Sequence, residues 1–73
     1  MNDNEQVKNE YHKEAIKLLS AFPDALKAFE KEWLSENFRQ AFLIVHKATR
    51  QLDAKRSPEQ EKLFERFYWL FVN

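Results

Sequence analysis

Apolar residues recur along this chain at spacings of three and four, the pattern of one helical face at 3.6 residues per turn. Over residues 5–21, Val7, Tyr11, Ala15, Leu18 and Phe22 make such a stripe, with Ile16 and Leu19 on its flank. Phe22 stands before Pro23, and a residue before proline is disfavoured in the α region, so the first helix is expected to end there. A second helix is predicted over 24–34. Leu26, Phe29 and Trp33 form its stripe, Ala25 and Ala28 lie beside it, and Asp24 suits the positive end of the helix dipole.

A third helix is predicted over 38–54, with Phe38, Ala41, Phe42, Val45, Thr49 and Leu52 facing inward. At about 100° per residue, its stripe is rotated by roughly 140° from that of the second helix. A jump of that size argues for a break at Ser35-Glu36-Asn37, with one continuous bent helix as the alternative. Asn37 and Gln40 have the spacing of a capping box. The fourth helix, over 58–72, has the clearest start: Ser57 as N-cap, Pro58 at the first helical position and Gln60 at the third. Leu63, Phe64, Phe67, Leu70 and Phe71 share its broad apolar face. The expected fold is all-α, a small bundle of four short helices forming a single domain over residues 1–73.

Composition narrows the chemistry more than the fold. A chain of 73 residues buries only about 60% of its unfolded surface, so small domains lean on a disulfide, a metal or a partner subunit. Cysteine is absent, which removes disulfides, thiolate metal sites and thiol catalysis together. Glycine is absent too, and with it every Gly-rich phosphate loop. What remains is a ring-rich core, favoured by the 15% aromatic content, or self-association. Residues 1–6 have neither the basic nor the apolar segment of a secretory signal. No apolar run approaches the roughly 18 residues of a membrane span. A cytoplasmic location with no membrane partner is therefore expected. Glu10–Lys13, Glu14–Lys17, Asp24–Lys27, Glu36–Arg39 and Glu59–Lys62 are acid–base pairs at i,i+3 spacing, suited to solvated helix faces.

No catalytic constellation emerges. His12 and His46 are the only imidazoles and lack metal-ligand spacing, so neither metal nor cofactor is expected. The i,i+4 pairs Glu10/Glu14, Glu32/Glu36 and Glu61/Glu65 fall on polar faces, not in a shared pocket that would push their pKa values apart. No serine nucleophile motif is present: Ser35 and Ser57 suit helix starts and Ser20 a helix end. The reading is non-enzymatic, with no small-molecule substrate implied.

Charge is balanced overall but uneven along the chain. Residues 2–36 hold eight acids and five bases, a net of −3. Residues 37–56 hold five bases and one acid, a net of +4, and residues 57–73 hold three acids and two bases, a net of −1. Arg39, His46 and Arg50 fall within about 20° of one direction on the third helix, with Lys47 nearby. This basic stripe is the candidate nucleic-acid surface, although the glycine usual in a helix–turn–helix turn is missing and the rest of the chain is acidic.

Apolar residues off the stripes give the sharper expectation. Leu43 projects roughly 40° from Arg39, among the bases, and Ile44 also lies off the core stripe. On the fourth helix Trp69 and Val72 point away from the Leu63/Phe67/Phe71 face. Either these helices are contacted on several sides, or Leu43, Ile44, Trp69 and Val72 form a protein interface, the setting in which tryptophan and arginine concentrate. An amphipathic membrane helix at the C-terminus is disfavoured by Glu61 and Glu65.

The stretch Ala21–Phe29 resembles a helix start in carboxymuconolactone decarboxylase-type proteins. The redox cysteines of some members have no counterpart, and no site residue carries over. The expected function is protein–protein contact, as a regulator, inhibitor or adaptor, with the partner another protein or a second copy of the chain in a homodimer. The alternative is nucleic-acid binding through the third helix.

Overall fold

The computed structural model describes residues 3–51 and 55–73. They form an all-α bundle: α1 (Asp3–Leu19), α2 (Pro23–Leu34), α3 (Phe38–Gln51) and α4 (Pro58–Phe67), the last running on into a π-helical turn, Tyr68–Val72. The third helix is followed to Gln51, and the expected stripe residue Leu52 lies outside the described residues. α2 packs chiefly on α3, α1 on α4, and the π turn folds against α3.

Helices two and three are separate. Their junction is a Schellman-type C-cap: the Glu36 N–H donates to the Trp33 carbonyl at 3.0 Å and the Asn37 N–H to the Glu32 carbonyl at 2.9 Å. The motif requires a left-handed residue, and a chain without glycine places Glu36 there, at φ 60°. A residue with a Cβ bears a cost of roughly 1 kcal/mol in that region. The capping box expected of Asn37 and Gln40 does not form. The Asn37 amide reaches back to the Glu32 carboxylate at 3.4 Å instead, locking the turn from outside. The box at Ser57 does form: the Gln60 N–H donates to the Ser57 hydroxyl at 3.1 Å, and the Ser57 N–H to the Gln60 side-chain oxygen at 2.9 Å.

The core is organised around one residue of α1. Tyr11 is fully buried, with its ring stacked on Phe67 at 3.8 Å between centroids and 5° between planes. Phe64 meets it edge-on at 4.9 Å, and Phe29, Trp33 and Phe42 complete the shell. Such ring pairs add about 0.5–1.5 kcal/mol each beyond area burial, which helps a small domain without covalent staples. The fully buried residues of α3 are small or branched, Ala41, Val45 and Ala48, while its half-buried Phe42 supplies the ring that reaches Tyr11. On α1 the buried stripe is Val7, Tyr11, Ala15 and Leu19; Leu19 takes the inner place expected of Leu18, which is half-buried.

At the C-terminus the expected α-helix is replaced by a wider turn. The Asn73 N–H donates to the Tyr68 carbonyl at 2.8 Å, an i→i+5 bond. Underwinding from about 100° to roughly 82° per residue swings Phe71 back over Phe67 and carries Leu70 outward. The Phe67 and Phe71 rings stack at 4.9 Å, while Leu70, expected on the apolar face, is exposed.

Candidate protein-contact surface

Among the described residues five large apolar side chains are exposed: Leu34 at 80%, Trp69 at 60%, Leu70 at 42%, Leu43 at 40% and Tyr68 at 36%. Three of them are consecutive on the π turn. Trp69 and Leu43, singled out in the sequence, stand on the surface, whereas Ile44 and Val72 are half-buried and packed against the core. Tyr68 and Leu70 were not expected there. Leu70 depends on the π turn, for which the residue pattern has no signal.

The π turn and α3 are joined by rings. Phe42 meets Tyr68 at 5.3 Å, and Phe38 meets Phe71 at 5.6 Å edge-on. Two shallow grooves run beside this seam. One, of about 380 Å³, has Phe42, Phe64 and Tyr68 along it, with His46, Glu61 and Glu65 among the polar lining. The other, of about 430 Å³, lies between Phe38, Arg39 and Gln40 of α3 and Phe71 and Val72 of the π turn. The π turn and the basic side of α3 therefore belong to one surface. On α3, Arg39, Lys47 and Arg50 are exposed, and His46 is half-buried with its ring 6.3 Å from Phe42.

The remaining polar groups are structural in arrangement. His12 Nε2 lies 2.9 Å from a Glu30 carboxylate oxygen, with the ring 4.9 Å from Trp33, so it bridges α1 and α2. Of the five expected i,i+3 acid–base pairs, Glu14–Lys17 closes at 3.3 Å; Glu5–Lys8 closes at 3.4 Å beside it. Glu14 also accepts from the Gln60 side-chain amide at 3.2 Å, tying α1 to the start of α4. That bond, with Lys17 and Lys13 nearby, holds the Glu14 carboxyl below its ordinary range. The shift is opposite to the raised carboxyl a general acid needs. Burial pushes the Tyr11 phenol far above its ordinary range, partly offset by the Arg56 charge, so it stays neutral. Its hydroxyl is buried with no hydrogen-bond partner among the described residues.

Among the described residues no group of His, Asp and Glu converges as a metal site, and no helix is long and apolar enough to cross a membrane.

Compared with known proteins, the chain matches no family, no curated protein and no solved structure.

Proposed function

We propose that this chain is a small, non-catalytic protein-binding module, a cytoplasmic regulator, inhibitor or adaptor, whose contact surface is the π turn and the adjoining side of α3. One observation carries the reading: Tyr68, Trp69 and Leu70 are exposed in succession beside an interior that has already closed around Tyr11. Water-facing runs of large apolar side chains mark interaction sites, and tryptophan and tyrosine dominate interface energetics. Leu43 extends the surface onto α3. The shallow grooves beside it suit a partner's side chains better than an enclosed substrate.

The test is a photo-crosslinking amino acid placed in turn at positions 69, 43 and 9 in cells that make the protein. Asn9 is exposed on α1, lines neither groove, and serves as the control. Adducts of discrete mass are expected from 69 and 43 and not from 9. An adduct of twice the chain's mass identifies a homodimer. Equal labelling from all three positions, or none from 69 and 43, overturns the proposal.

A further inference from the structure

The outward face of α3 carries a charge that no ion pair among the described residues answers. Phe38–Gln51 contains Arg39, Lys47 and Arg50 and no Asp or Glu. The ion pairs among the described residues are Lys8–Glu5, His12–Glu30 and Lys17–Glu14; none involves a cation of α3. Glu61 and Glu65 line the groove beside His46, yet neither is paired with those cations. In the middle of these bases stands Leu43, exposed. By helix geometry Arg39 and Arg50 lie about 20–40° to one side of it and Lys47 about 40° to the other. From Arg39 to Arg50 the stripe runs about 16 Å, three turns of helix.

An apolar centre flanked on both sides by cations that form no ion pair among the described residues is the complement of an amphipathic helix with an apolar stripe and acidic flanks. A two-fold pairing of this face with itself would set Arg39, Lys47 and Arg50 against their own copies, which like-charge repulsion disfavours. A nucleic-acid backbone would use the cations but leave Leu43 without a role, and three fixed charges release few counterions. We propose that the outward face of α3 docks an acidic amphipathic helix of a partner protein, whose apolar residue packs on Leu43 while its carboxylates pair with Arg39, Lys47 and Arg50. The proposal rests on the reading of the chain as a protein-binding module and specifies the partner's chemistry.

A random library of displayed peptides about 16 residues long, enough for four helical turns, is selected on the immobilised wild-type chain and counter-selected on Leu43→Glu. Circular dichroism first establishes that the variant is folded, and Leu43→Ala replaces it where it is not. Enriched sequences are expected to carry Asp and Glu around Leu, Phe or Trp at helical spacing. Binding of a synthetic enriched peptide should weaken about tenfold in the Arg39→Ala/Arg50→Ala double variant, the effect of losing two surface ion pairs. It should weaken again at high salt. Enriched peptides without net negative charge overturn the acidic partner but leave the module reading standing. No enrichment at all overturns both. A short DNA duplex bound at low salt, with Arg39→Ala and Arg50→Ala weakening it and Leu43→Ala leaving it unchanged, overturns the proposal in favour of nucleic acid.

Discussion

Phe67 and Leu70 sit three residues apart on the same helical run, and they meet opposite fates. Phe67 is sealed against Tyr11; Leu70, with Tyr68 and Trp69, faces solvent. Hydrophobicity does not separate them. An α-helix continued past Phe67 would have brought Leu70 within about 60° of the Phe67 direction. The i→i+5 turn instead spends that direction on Phe71, whose ring completes the stack. The interior has room for a fixed set of rings, and the change of helical pitch decides which of the last apolar residues are admitted. Those left outside are contiguous, and contiguity is what turns spare apolar surface into a place where another protein can rest.

Substitutions on either side of that boundary should differ most. Phe67→Ala removes the ring that stacks on Tyr11 and is expected to cost about 3–5 kcal/mol in urea unfolding. Leu70→Ala is expected to stay within about 0.5 kcal/mol of the wild type. Equal costs would erase the distinction between the two regions. A smaller effect of opposite sign should come from Tyr11→Phe, which keeps the ring and deletes the unpartnered hydroxyl. A gain of about 1 kcal/mol is expected, from relief of the penalty for a buried unsatisfied group. A loss would show that the hydroxyl is satisfied in solution.

The smallest effect concerns the other end of α4. Gln60→Glu preserves an acceptor for the Ser57 N–H but replaces the amide that donates to Glu14 with a like charge. The pKa of Glu14, followed by NMR titration, should rise from its lowered position. In the wild type a depressed folded pKa means that the Glu14 contribution is present above the unfolded value and is lost as pH falls through the folded value. Glu14 is half-buried at the open edge of the α1–α4 contact, and its contribution is small. In the variant this acid-side loss should shrink. An unchanged Glu14 titration would mean that the lysines alone hold it down.

Much of the architecture was visible in the residue pattern because helical periodicity, proline positions and the Ser57 cap all report on local backbone geometry. The break before α3 was legible as a phase jump between stripes. The means by which the chain makes that break was not: no glycine marks it, and Glu36 adopts the left-handed conformation because two backbone hydrogen bonds hold it there. The π turn was invisible for a related reason. It depends on how Phe38, Phe67 and Phe71 fit together in space, and the spacing of apolar residues does not encode that fit. On the surface, the positions of Leu43 and Trp69 follow from helix phase alone. Ile44 and Val72 have the same off-stripe phase, yet they are half-covered because α2 and α3 close over such flanks in so small a bundle.

The two tryptophans divide along the same boundary, and this gives the molecule two separate optical reporters. Trp33 is half-buried, within ring distance of Tyr11, Phe38 and Phe67 and with the His12 imidazole beside it. Its emission should respond to loss of the core and resist aqueous quenchers. Trp69 is bathed in solvent and should be quenched freely until something covers it. With Phe in place of one or the other, the same fluorescence cuvette would follow unfolding through Trp33 and occupancy of the surface through Trp69, without any label attached.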